Sequence, residues 1–143
     1  MLLPWGKATI LERVIDNVLL SGVSEVVVVL GYKAEEMRSR LEPNLAANPN
    51  RNKVKFINNS SFKEGISSSL IRGVEALRRE CEAIMVVLGD QPQIGPDIMR
   101  KVITAFAANN KSIALPSFKG QRGHPVIMDL KFKPEILGLK GDI

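Results

Sequence analysis

Apolar residues along this chain follow two rhythms. Val26–Leu30 and Ala83–Leu88 are unbroken apolar runs, rich in Val and Ile. Runs this short suit strands buried on both faces. Elsewhere the apolar positions recur three or four residues apart. Ile10, Leu11, Val14, Ile15, Val18 and Leu19 share one face of a helix that begins at Thr9 and stops at Gly22. Thr9 and Glu12 have the spacing of a capping box, in which each side chain satisfies a free backbone N–H. A short helix is expected over Ala34–Leu41, with Ala34, Met37 and Leu41 inward, and a strand over Lys53–Ile57. From Gly65 a helix carries Ile66, Leu70, Ile71, Val74 and Leu77 on its inner face. Pro96 and Asp97 suit the first turn of another, with Ile98, Val102, Ile103 and Phe106 inward. Pro43–Asn52, rich in Asn and Pro, reads as a surface loop. Ser112–Leu115 and Pro125–Met128 read as strands flanking a turn at Lys119–Gly123, and Asp129–Leu139 as a short helix broken by Pro134.

Alternating strands and helices predict an α/β fold, a mostly parallel sheet with helices on both faces. Such sheets bind ligands beyond the carboxyl ends of their strands. Three segments are expected there: Asn58–Ser69, Gly89–Pro92 and Arg122–Pro125. Gly89 lets the backbone pass close to a ligand. Asp90 either holds a hard divalent ion against a phosphate or caps a turn. Ser67, Ser68 and Ser69, just after Gly65, fall in a helix's first turn, where free N–H groups favour an anion; a solvated cap explains them equally. Arg122 is a phosphate partner or a solvated turn cation. His124 is a substrate contact and proton donor near phosphates, or an ordinary loop histidine. Together these groups suit phosphoryl or nucleotidyl transfer, where catalysis is mostly positioning and charge neutralisation. A Rossmann glycine motif, a Walker A loop and an Asp-x-Asp pair around Asp90 are all absent.

Composition narrows the partners. The 143 residues suffice for one domain with a substantial core. No apolar run reaches membrane-span length and no basic n-region opens the chain, which excludes a membrane partner and points to the cytoplasm. A lone Cys81 and a lone His exclude an internal disulfide and a Cys/His zinc cluster. The net charge is +5, but the basic residues interleave with acids, as in Lys33–Arg38, and aromatics are only 5%. A small anionic substrate therefore fits better than nucleic acid.

Six segments, in order and at the right spacing, carry a resemblance over nearly the whole chain: Leu3–Gly6, Leu11–Asn17, Val27–Tyr32, Gly65–Leu70, Leu88–Pro92 and Arg122–Val126. They closely resemble the molybdenum cofactor cytidylyltransferases of the MobA-like NTP-transferase group. The resemblance implies a nucleotide-diphospho-sugar-transferase-like three-layer α/β/α sandwich. It implies transfer of CMP from CTP to molybdopterin, with pyrophosphate released and Mg²⁺ held by Asp90. Gly65, Ser67, Ser68, Ser69, Gly89 and Asp90 match the nucleotide side, Arg122 and His124 the acceptor side, and Asp142 a second metal carboxylate. Partners implied are CTP or GTP, the molybdopterin cofactor and a molybdoenzyme-specific chaperone. The family's N-terminal glycine-rich loop, which wraps the triphosphate and helps select CTP over GTP, has no counterpart here, nor has the segment after Gly141-Asp142. Residues 1–143 are thus expected to form a single truncated nucleotidyltransferase domain with little turnover of its own. Alternatives are a related transferase with another phosphorylated acceptor, or a non-catalytic member binding nucleotide or a chaperone.

Overall fold

A computed structural model describes residues 4–5, 8–108 and 112–141. In chain order the elements are β1 (Pro4–Trp5), β2 (Ala8–Thr9), α1 (Ile10–Leu20), β3 (Val26–Leu30), α2 (Ala34–Leu45), β4 (Val54–Asn58), α3 (Ile66–Glu75), β5 (Ala83–Val86), α4 (Pro96–Ala108), β6 (Ile113–Ala114), β7 (Ser117–Phe118), β8 (Gln121–Arg122), β9 (Val126–Asp129) and α5 (Lys133–Leu137). Short 3-10 turns lie at Arg51–Lys53, Phe62–Glu64 and Leu130–Phe132. The chain divides into two compact units, Met1–Val23 with Glu82–Leu130, and Ser24–Cys81 with Lys131–Ile143.

In the first unit β9 lies between β5 and β6, antiparallel to both. Helix α4 packs on this sheet and α1 packs on α4. The core is Leu11, Val14, Ile15, Val18 and Leu19 from α1, with Ile84, Met99, Val102 and Ile127. Thr9 caps α1 as expected: its hydroxyl accepts from the Glu12 N–H at 3.2 Å. The Glu12 carboxylate accepts from the Thr9 hydroxyl instead of reaching back to a backbone N–H. The ladder between β5 and β9 ends at Val86↔Val126. The next pair would set Val87 against Pro125, which has no N–H to give, so the apolar run outlasts the strand. In α4 Val102 is buried as expected, but in the first turn Met99 is fully buried whereas Ile98 is 41% exposed.

The second unit is built on a parallel pair, Val26–Leu30 against Val54–Asn58. Val28 is in register with Phe56, and Val29 with Ile57, so each pair shares a face. Arg38 of α2 lies over the Phe56 ring and Glu35 takes a hydrogen bond from Asn58, so α2 covers that face. Gly73 of α3 packs on Val29, so α3 covers the other. Here the expected layering of helix, sheet and helix is explicit. Leu30, Leu41, Val74 and Ile136 fill it.

Three local expectations are corrected in this unit. Helix α2 runs on through Pro43 to Leu45, where a loop was expected. Pro43 sits close enough to the helix end that one lost N–H bond is tolerated, and the Ala46 N–H still reaches the Glu42 carbonyl at 3.0 Å. In α3 the buried residues are Ser67 and Val74, one heptad apart, while Ile66 is 57% exposed. Pro134 does not break α5 but lies in its first turn, where a missing N–H costs nothing.

Candidate functional site

In the second unit, β4 ends at Asn58 and the chain turns at once. Asn59 organises the turn. It is 2% exposed, and its N–H donates to the carbonyl of Leu30, at the end of β3, at 2.7 Å. Its carboxamide nitrogen donates to the hydroxyls of Ser68 and Ser69 at 2.9 and 3.0 Å, and its oxygen accepts from the Ser61 N–H at 3.0 Å. The Ser68 hydroxyl lies 2.7 Å from the Gly65 carbonyl and 3.0 Å from that of Ser61. One buried asparagine, through its backbone N–H and its carboxamide, thus ties the ends of two strands to the first turn of α3. Gly65 precedes that helix at φ 111°, a conformation that favours glycine.

The serines take three separate roles. Ser67 is buried and its N–H donates to the Gly141 carbonyl at 3.1 Å, so that N–H is committed within the protein. Ser68 is committed to the turn. The Ser69 hydroxyl accepts from Asn59 and has its own proton to offer a ligand.

In the first unit, β5 leads through Val87 and Leu88 to a turn at Gly89-Asp90. Asp90 is exposed, and among the described residues its carboxylate has no hydrogen-bonding or ion-pair partner. The loop that carries it is held from below. Asn17, on the buried face of α1 and 6% exposed, donates both carboxamide protons, to the carbonyls of Pro92 at 3.1 Å and Ile94 at 3.2 Å. Pro92 is itself buried, and the side-chain oxygen of Gln91 is buried without a partner among the described residues.

The antiparallel register brings the second group alongside. Val86, at the end of β5, faces Val126, at the start of β9. Continuing outward, the Gly89-Asp90 turn and the Arg122–Pro125 segment leave from the same end of one sheet. His124 is half-buried there. Arg122 is exposed on the β7–β8 hairpin, whose turn residues Lys119 and Gly120 both have positive φ, and the Gly123 N–H closes the hairpin base on the Pro116 carbonyl at 2.9 Å.

Two of the three expected loops therefore share one sheet end in the first unit, and the third caps the carboxyl ends of β3 and β4 in the second. Sequence patterning passed over Asn17 and Asn59. The available signal was a polar residue within an otherwise apolar helix face for Asn17, and an Asn directly after a strand for Asn59. No group of three or more His, Cys, Asp or Glu side chains is placed to hold a metal among the described residues. A lone exposed carboxylate fits Mg²⁺, which commonly takes one or two carboxylates and completes its shell with substrate phosphates and water. Asp142, the second carboxylate expected, lies outside the described residues. In the second unit a cavity of about 390 Å³, lined by Arg38, Glu42, Arg51 and Phe56 among others, lies at the start of β4, the opposite end of that strand from Asn59.

Comparison with known proteins fits this geometry. The family described as the MobA-like NTP transferase domain matches residues 1–143. The chain is 30% identical over 128 residues to the molybdenum cofactor cytidylyltransferase of Escherichia coli, covering 90% of this chain and 60% of that protein. It is 28% identical over 142 residues to nicotine blue oxidoreductase of Paenarthrobacter nicotinovorans, covering 94% and 64% respectively. The chain thus spans less than two thirds of the length of either relative. Among solved structures, a nucleotidyl transferase from Methanothermobacter thermautotroptrophicus superposes with a TM-score of 0.75 at 26% identity, covering 96% of this chain and 62% of that one. A manganese complex of Rv0371C from Mycobacterium tuberculosis superposes with a TM-score of 0.77 at 24% identity, covering 98% and 69%. The α/β fold is that of the nucleotidyltransferases.

Proposed function

The chain belongs to the MobA-like NTP transferase family, and from that premise we propose that it serves the transfer of CMP from CTP to the molybdopterin cofactor. The observation that carries this reading is the β5–β9 register, which sets Asp90, without a partner among the described residues, and a half-buried His124 at the same sheet end. The similarity to the E. coli cytidylyltransferase supports the choice of substrates.

In the reaction a phosphate oxygen of the acceptor attacks the α-phosphorus of CTP. That P–O bond forms as the bond from the α-phosphorus to the bridging oxygen breaks, and pyrophosphate leaves. Asp90 would hold Mg²⁺, which supplies charge neutralisation on the phosphates when bound. Asn17 holds the loop that presents Asp90, so little reorganisation is needed when phosphate charge arrives. Arg122 and His124 meet the acceptor phosphate, with His124 as hydrogen-bond or proton donor. The Gly65–Ser69 turn forms the nucleotide side: Ser67 and Ser68 anchor it, while Ser69 offers a hydroxyl proton and Asn59 fixes its position; Gly89 lets the chain approach the phosphates. Under this reading residues 1–143 act as one nucleotidyltransferase domain in the cytoplasm, with a molybdoenzyme chaperone as a downstream partner. No helix among the described residues is long and apolar enough to cross a membrane.

The test is calorimetric binding of CTP with Mg²⁺, followed by pyrophosphate release when molybdenum cofactor is added. Asp90→Asn should abolish Mg²⁺-dependent binding while leaving unfolding unchanged, because the residue is exposed. CTP affinity insensitive to Asp90→Asn, or absent in the wild type, overturns the reading. One finding favours a second reading, nucleotide binding without transfer: a relative covering 94% of this chain is named an oxidoreductase. Tight CTP binding with no pyrophosphate formed would select it.

A further inference from the structure

Among the described residues Tyr32 is the most exposed large hydrophobic side chain, at 67%, and it lies two residues past the end of β3. Its exposure is not that of a loose loop residue. Its ring meets Phe62 edge-to-face, with centroids 6.2 Å apart and planes at 63°. Phe62 is in turn fixed by close approach of the backbone: a Cβ on Gly31 would stand 2.6 Å from Phe62 Cβ, a distance that only glycine permits. The turn carrying Phe62 is closed at both ends, by the Glu64 N–H on the Ser61 carbonyl at 2.9 Å and the Gly65 N–H on the Phe62 carbonyl at 3.3 Å. Lys33 Nζ stands 5.5 Å from the Tyr32 ring centroid. The tyrosine is thus braced at its edge by an aromatic ring and covered on one face by a cation. The other face remains for a planar ring.

The brace and the polar turn are one piece of chain. Phe62 lies between Asn59 and Gly65, and Ser61, beside it, bonds both Asn59 and Ser68. An aromatic face next to a turn with a hydroxyl proton to offer at Ser69 suits a ligand with a flat π-face and a polar edge. A nucleobase has both. From this juxtaposition we propose that Tyr32 is the stacking platform for the base of the nucleoside triphosphate, with Ser69 reading its polar edge. The proposal rests on the nucleotidyltransferase reading and adds to it the residue that holds the base.

The experiment compares wild type, Tyr32→Ala and Tyr32→Phe by calorimetry with CTP, with GTP and with inorganic tripolyphosphate, each with Mg²⁺. Tyr32→Ala should weaken CTP about fivefold or more, the range of base–aromatic stacking. It should leave tripolyphosphate, which has no ring, unchanged, and Tyr32→Phe should behave as wild type. The exposed position makes the alanine variant foldable, and its unfolding midpoint confirms this. If wild type binds CTP and Tyr32→Ala binds it equally well, the platform is overturned while the enzyme reading stands. Equal losses for CTP and tripolyphosphate also overturn it. Wild type that binds no nucleotide overturns both readings.

Discussion

Removing the Asn17 carboxamide should loosen the Asp90 loop and cost measurable stability. The geometry sets the size of the effect. Both protons of one side chain go to backbone carbonyls, Pro92 at 3.1 Å and Ile94 at 3.2 Å, at a position 6% exposed. Asn17→Leu keeps the volume but removes both donors. The two bonds contribute about 0.5–1.5 kcal/mol each, and buried carbonyls left unpaired add to the loss, so about 2 kcal/mol is expected. For a chain of this size that lowers the unfolding midpoint by about 5–10 °C. Asn17→Asp sharpens the test. Its carboxylate would face two carbonyl oxygens in a buried site, which raises the folded-state pKa above the unfolded value. The protonated acid can restore one bond. The deficit of Asn17→Asp relative to wild type should therefore be largest above the folded pKa and shrink as pH falls through it. Thermal unfolding at several pH values, with hydrogen exchange at the Ile94 amide as local readout, checks both variants. If Asn17→Leu unfolds within a few tenths of a kcal/mol of wild type, or if Asn17→Asp shows no pH dependence beyond that of wild type, the carboxamide does not hold the loop.

The other variants probe the second unit and the core. Asn59→Leu removes the donors to Ser68 and Ser69 and should cost about 2–3 kcal/mol in urea unfolding; CTP binding should be lost with it. Gly31→Val forces a side chain against Phe62 and should destabilise by about 1–3 kcal/mol, with altered near-UV circular dichroism from the Tyr32–Phe62 pair. Pro43→Ala restores a helix donor inside α2 and should stabilise by about 1 kcal/mol, the gain in helix propensity being partly offset by a more flexible unfolded chain. Met99→Ala empties a fully buried position in α4 and should cost about 2–4 kcal/mol in the same assay.

How far the sequence could be read depended on which interactions decide each feature. Strand β3 and helix α1 matched their patterns because the apolar run and the capping residues are local, and the burial of Val28 and Leu30 agrees with them. The first turns of α3 and α4 did not, although Val74 and Val102 are buried as expected. Periodicity leaves the phase of a helix open by one residue, and packing chose Ser67 over Ile66 and Met99 over Ile98. The Ser67 case bears on chemistry. Three serines at a helix start look alike in sequence, yet only the fold assigns one to the core, one to the turn and one to a free donor role. The sheet end that joins Asp90 and His124 was half legible, since a glycine-aspartate turn after an apolar run marks a strand end. That both segments leave from one sheet end needed the antiparallel register of β5 and β9, set by residues far apart in the chain. Asn17 and Asn59 went unread for the same reason. Each is an ordinary polar residue until its carbonyl or hydroxyl partners arrive from elsewhere in the chain. A site built in this way exposes its candidate chemical groups to sequence inspection and hides the residues that hold them still. Those supports are therefore where substitutions should separate loss of binding geometry from loss of chemistry: Asn17→Leu should move stability and loop protection together, whereas Asp90→Asn should move Mg²⁺-dependent binding alone.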